Sequence, residues 1–99
     1  MNKDSERGQV LVEVLTASGC GRCQQAKMLA KEVIAQIEEN DEGVDIHYRE
    51  INVVEDIDYA VKLGVMSTPA IAINRELVFP APPSATKLRQ AILERIDGA

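Results

Sequence analysis

Hydrophobic positions along this 99-residue chain change their period several times, and each change marks an element. Val10-Leu11-Val12-Glu13-Val14-Leu15 is a short, nearly all-apolar run rich in β-branched side chains, which reads as a buried parallel strand. After a loop of small residues, Thr16 to Gly19, the period lengthens. Ala26, Leu29, Ala30, Val33, Ile34 and Ile37 fall at i, i+3, i+4 spacing, predicting a helix from Cys20 or Gly21 to Glu39 with one apolar face. Asn40 to Gly43 is its expected stop, with Gly43 free to take a positive φ. Val44-Asp45-Ile46-His47-Tyr48 alternates as a second strand would, with room to continue to Asn52. Ile57, Ala60 and Val61 lie at helical spacing within Glu55 to Leu63, and Gly64 closes that segment. Ala70-Ile71-Ala72-Ile73 and Leu77-Val78-Phe79 read as two further strands, joined by a tight hairpin at Asn74-Arg75. Pro80, Pro82 and Pro83 then break the chain. Ser84 is placed to cap a last helix that turns Leu88, Ala91, Ile92 and Ile96 inward.

The order β-α-β-α-β-β-α predicts a compact α/β domain over residues 10–99, a four-stranded mixed sheet flanked by helices, preceded by a flexible polar tail over residues 1–9. With one Phe, two Tyr and no Trp, its core has to be aliphatic. A net charge of −5 speaks against a nucleic-acid partner, which calls for clustered Lys and Arg. No run approaches the roughly 18 apolar residues of a membrane span, so no membrane partner is expected. Met1 to Gln9 lacks the apolar core of a secretory signal, which makes the cytoplasm the expected location.

Two cysteines are too few for a secreted disulfide framework or a four-ligand structural zinc site, and His47 is the only histidine. Two thiols at Cys20-Gly21-Arg22-Cys23, in a reducing compartment, point instead to redox chemistry. Dithiol exchange needs one exposed thiolate to attack and a second thiol near enough to resolve the mixed disulfide. At a helix start this spacing brings both side chains to one face, so the sulfurs can bond. The first also meets unpaired N–H groups and the positive end of the helix dipole, which lower a thiol pKa. Cys20 is therefore the expected nucleophile and Cys23 the resolving thiol. Gly21 is expected to permit the turn and leave the sulfur uncovered, and Arg22 to offer a positive charge beside it. Two small buried hydrophobes would be the plainer reading of the pair; Cys23 fits it, whereas Cys20, on a glycine-flanked loop, does not.

The other informative segment is Gly64-Val65-Met66-Ser67-Thr68-Pro69-Ala70-Ile71, with proline directly before an apolar strand. A Cys-x-x-Cys after the first strand and a Thr-Pro opening a later one resemble the thioredoxin superfamily, over about Val10 to Ile96. The nearest resemblance is to the small, glutaredoxin-sized "redox-active disulfide" thioredoxin-like proteins of archaea and bacteria, which share the Gly-Val-x-Ser-Thr-Pro-Ala segment and a Pro-Ser before the last helix. The resemblance implies a thioredoxin fold, a cis Pro69 beside the sulfurs, and a Thr68 backbone that pairs with extended substrate. It further implies disulfide-containing protein substrates, a thioredoxin-reductase-like electron donor, no cofactor beyond the Cys20–Cys23 disulfide, no metal, and a monomer.

Several positions depart from that pattern. Gly19 stands where thioredoxins usually carry Trp, Arg22 where they carry Pro, and Val14 where they bury an Asp; neighbouring Glu13 is expected to be a solvated strand residue. Pro80-Ala81-Pro82-Pro83-Ser84 replaces the Gly-Gly-x-x-Asp segment that holds glutathione in glutaredoxins, which disfavours glutathione. Lys27, one turn past Cys23, is expected to be solvated, His47 to be an ordinary strand residue, and Val65, Met66 and Ile71 to form an apolar rim around the motif. A different class of function is a non-enzymatic thioredoxin-fold adaptor, or a module in which two thiolates hold a soft metal or metalloid ion.

Overall fold

The computed structural model describes residues 9–41 and 43–97 of the chain. Seven elements follow in the expected order: β1 (Gln9–Thr16), α1 (Cys23–Asn40), β2 (Asp45–Asn52), α2 (Ile57–Leu63), β3 (Ala70–Ile73), β4 (Glu76–Phe79) and α3 (Ala85–Asp97). The strands form one sheet in the order β2-β1-β3-β4. β1 runs parallel to β2 and antiparallel to β3, and β3 pairs antiparallel with β4. Of the expected tail, residues 1–8 lie outside the described residues, whereas Gln9 is already the first residue of β1, opposite Asp45.

Alternation along β1 sorts the molecule into two faces. Val10, Val12 and Val14 join Ala26, Ala30, Val33, Ile34 and Ile37 of α1 and Leu88, Ala91, Ile92 and Ile96 of α3 in the main core. Leu15 belongs to a smaller cluster with Ile51, Ala70, Ala72 and Ala60, the last from α2. One helix pair thus covers one face of the sheet and α2 the other. Each core side chain is aliphatic, as the shortage of aromatic residues requires.

Four local features differ from expectation. The first helix starts at Cys23, because residues 20–22 are held in turns: the Cys20 amide donates to the Ala17 carbonyl at 3.2 Å and that of Cys23 to Cys20 at 3.4 Å. It stops through Asp41, which takes an extended conformation and accepts the Gly43 amide at 3.1 Å; Gly43 itself has no positive φ. The second helix begins only at Ile57, after a turn in which the Asn52 side chain accepts the Val54 and Glu55 amides at 2.9 and 3.2 Å. Its Ile57 and Val61 do not face the core: they are 54% and 67% exposed, and Ala60, Tyr59 and Leu63 turn inward instead.

Other turns follow the sequence closely. Gly64 closes α2 with φ 87°. Asn74 and Arg75 both take positive φ, and Asn74 bridges the hairpin to β1 by exchanging hydrogen bonds with Leu11 at 2.8 and 2.9 Å. Ser84 Oγ accepts the Lys87 amide at 3.2 Å, capping α3.

Candidate active site

The two cysteines sit where β1 hands the chain to α1. Their sulfurs are bonded to each other, with the Cα atoms 5.4 Å apart. Cys23, in the first turn of α1, is 4% exposed, whereas Cys20 is half-buried on the loop before it. The first turn of α1 holds no acidic residue and Arg22 makes no side-chain cap, so the helix N-terminus keeps its positive potential for the sulfurs. The arrangement leaves one accessible sulfur and one sheltered sulfur within bonding reach.

The turn is made by Gly19, not Gly21. Gly19 has φ 77°, in the region that glycine alone enters freely, while Gly21 has no such φ and a side chain there would meet nothing within 4 Å. This accounts for the departure at Gly19, because a Trp would be strained whatever space it found. We expect Gly19→Trp to destabilise the protein by about 1–2 kcal/mol and Gly21→Ala to change stability by well under 1 kcal/mol, in urea unfolding.

Both cysteines line an open cleft of about 360 Å³ bounded by residues 16–21, Gln24, Lys27 and Asn52. Thr16, one of the lining residues, donates its hydroxyl to the Ile51 carbonyl at 3.4 Å. Arg22 is not among the residues of this cleft. It lines a separate groove with Gln25, Ala26, Leu29, Pro82 and Pro83. Lys27 is thus the cation of the cleft, a place the sequence reading left to Arg22. It is only 27% exposed, with Nζ 3.7 Å from Glu50 Oε1. Glu50 also lies 3.6 Å from Lys31 and accepts a 3.0 Å hydrogen bond from the Tyr48 hydroxyl. Burial pushes the Glu50 carboxyl up, but the Tyr48 hydrogen bond and the two lysines outweigh it and hold the group below the ordinary carboxylate value.

Thr68 and Pro69 lie on the other side of β1. Ala70 is the register partner of Leu15, so Pro69 opens β3 at the end of the sheet where β1 feeds the cysteine loop. The Thr68–Pro69 peptide bond is cis; Pro69 is buried and Thr68 half-buried. The expected apolar rim divides. Ile71 is fully buried in the main core, Val65 packs on the smaller cluster, and Met66 alone stands out, 96% exposed. His47, exposed and 3.3 Å from Asp45, faces Leu11 at the opposite end of the sheet.

Glu13 is a correction to the sequence reading. It is fully buried, on the α2 side of β1, where its carboxylate accepts a hydrogen bond from the Tyr59 hydroxyl and Arg49 Nη1 lies 3.3 Å from its other oxygen. Burial first, then the hydrogen bond to Glu13, pushes the Tyr59 hydroxyl pKa up, which keeps it a donor. Among the described residues no group of three His, Cys, Asp or Glu could hold a metal ion, and no helix is long and apolar enough to cross a membrane.

A sheet of this topology with a bonded Cys-x-x-Cys at a helix start defines a thiol–disulfide oxidoreductase. Comparison with known proteins agrees. A thioredoxin of Methanocaldococcus jannaschii is 33% identical over 88 residues, 89% of this chain and 98% of its own length. The NADPH-dependent thioredoxin reductase 3 of Arabidopsis thaliana is 27% identical over 93% of this chain, which spans only 16% of that protein. Among solved structures, a protein disulfide oxidoreductase from Aeropyrum pernix K1 superposes with a TM-score of 0.77 at 27% identity, covering 99% of this chain and 44% of its own. The thioredoxin domain family matches residues 10–92, and the chain belongs to the thioredoxin family.

Proposed function

We propose that the chain reduces, or exchanges electrons with, disulfides on partner proteins in the cytoplasm, acting as a monomer. The observation that carries this reading is the asymmetry of the bonded pair: Cys20 is half-buried on a loop and Cys23 is 4% exposed. In the reduced protein, the Cys20 thiolate attacks one sulfur of a substrate disulfide, the other substrate sulfur leaves as thiolate, and a mixed disulfide forms. Cys23 then attacks Cys20 Sγ, releasing the second substrate thiolate and restoring the Cys20–Cys23 bond. Two electrons have passed from the protein to the substrate. Thr68 and Pro69, at the same end of the sheet, orient an extended substrate segment, and exposed Met66 gives it an apolar contact.

A thioredoxin-reductase-like donor returns the electrons. The likeness of this chain to a segment of a thioredoxin reductase supports that pairing. Glutathione is disfavoured because Pro82 and Pro83 bring no amide donors to the groove beside Arg22, and Ser84 Oγ is already engaged in capping α3.

Cys23→Ser, mixed with oxidised insulin after reduction, is expected to accumulate an adduct through Cys20 that dithiothreitol releases, as read by mass spectrometry. Cys20→Ser should form none. If no adduct appears while Cys20 still alkylates with iodoacetamide, the exchange reading is wrong. Faster reduction of the disulfide by glutathione than by NADPH and thioredoxin reductase would overturn the assignment of the donor.

A further inference from the structure

A resolving thiol that is 4% exposed carries a handicap, because burial in apolar surroundings raises its pKa while the reaction needs the thiolate. The α1 N-terminus offsets part of this, and a nearby cationic side chain would offset more. Arg22 is turned into the groove on the other side of its helix, beside Pro82 and Pro83. Lys27 follows Cys23 by four residues on α1, so the two side chains share a helix face, and both line the cleft. The residues that share the cleft from β1, β2 and the loop, including Thr16, Ser18 and Asn52, are uncharged.

We propose that Lys27 is the electrostatic partner of the Cys23 thiolate, held at the dithiol by Glu50. This rests on the reading of Cys23 as the resolving thiol. Glu50 is the anchor and not a cancelling charge. Its carboxylate is shared among Lys27, Lys31 and the Tyr48 hydroxyl, so the two lysines and one carboxylate leave the cluster net positive. The β-strand register explains why the anchor is there: Glu50 lies directly opposite Val14, on the face of the sheet that α1 covers, while Glu13 faces away. Lys27 therefore acts as a positioning residue. As Cys23 attacks, its proton leaves through the open cleft to solvent, and the ammonium stabilises the sulfur anion that remains. Further charged residues stand nearby: Arg22 in its own groove, Lys87 exposed in the first turn of α3, and the carboxylates Glu55 and Asp56, both exposed and solvent-screened in the turn whose amides bond to Asn52; Arg89 lies with the far end of α1.

The test compares Lys27→Met, Lys27→Arg and Lys31→Met with the parent protein in two measurements. The first is the thiolate midpoint of Cys23, followed through its Cβ shift by NMR. The second is the equilibrium constant for reduction of the Cys20–Cys23 disulfide in a thiol buffer across pH. Loss of a cation that stabilises the thiolate raises the midpoint, by about one pH unit for Lys27→Met. It also destabilises the reduced form once the thiol ionises. The reduction constant of the variant should fall below the parent's as pH passes the parent's midpoint, approaching a deficit of about tenfold, equivalent to about 30 mV, only above the variant's raised midpoint. The difference should vanish near pH 5, where Cys23 is a neutral thiol in both proteins. Lys27→Arg should restore most of the effect. Lys31→Met, which takes the second cation from Glu50 and lets its carboxylate offset Lys27, should move both readouts in the same direction as Lys27→Met but by less. An unchanged midpoint in Lys27→Met overturns the proposal, and so does a loss that is equal at every pH, since that is the mark of a structural change. Both measurements use the cysteine pair alone. Failure to trap a protein partner would therefore sink the exchange reading and leave this one standing on its own data.

Discussion

Arg49→Met and Tyr59→Phe are each expected to destabilise the protein by about 2 kcal/mol, while Glu13→Leu, which removes the group they serve, should cost less than either. The asymmetry comes from where the charge sits. Glu13 is fully buried, on the sheet face beneath α2, and one of its oxygens accepts no hydrogen bond. Its compensation is the Tyr59 hydroxyl and the guanidinium of Arg49, its direct cross-strand neighbour. Removing either partner leaves a desolvated carboxylate short of a contact. Replacing the carboxylate with an apolar side chain of similar length removes the demand itself, and the site's neighbours, Ala72, Leu15 and Ala60, accept an apolar group. Arg49 is 47% exposed, which keeps its figure below the 3–5 kcal/mol typical of fully buried pairs. Chemical unfolding of the three variants at pH 7 decides the matter. If Glu13→Leu were the least stable of them, the cluster would be a net stabiliser and this account would fail.

That cluster also marks where the sequence stopped being readable. The cysteine pair was legible because everything it needs is local: two residues between thiols, a glycine-rich turn, and an apolar helix period behind them. β1 and β3 were legible because both are buried on two faces and show as continuous apolar runs. The hairpin was written in Asn74, whose side chain and φ both serve the turn. Glu13 was not legible, because its partners stand on β2 and on a helix 46 residues away. The same bond explains the orientation of α2. Ile57 and Val61 have the spacing of an inward face, yet a seven-residue helix has little apolar surface with which to set its own rotation, and Tyr59 turns toward Glu13. Lys27 was misread for a related reason: a lysine one turn past a cysteine looks solvated until the register of β1 with β2 brings Glu50 to it. Local chemistry was visible, and pairing across strands was not.

Restoring the family's acidic residue in the first strand, by Val14→Asp, is expected to destabilise this protein by about 4 kcal/mol at pH 7, because it buries a carboxylate without a partner. Val14 is fully buried, in a row across the sheet that runs from Glu50 on β2 through Val14 to Ile71 on β3. On one side the new carboxylate would meet an aliphatic side chain, and on the other a like charge. Glu50 is 37% exposed, so solvent screens that repulsion, and a Glu50→Gln change in the same chain should recover only about 1 kcal/mol of the loss. The pH dependence has a definite sign. Burial and Glu50 both raise the folded-state pKa of the introduced aspartate above its unfolded value of about 3.9, so the folded variant binds the proton more tightly. Its stability is then greatest below that unfolded value and is lost as pH rises toward the folded one, making the deficit smaller at pH 4 than at pH 7. Urea unfolding of the single and double variants at both pH values measures all three quantities. A deficit that did not shrink on acidification would mean that the strain of the new side chain, and not its charge, is what this position rejects.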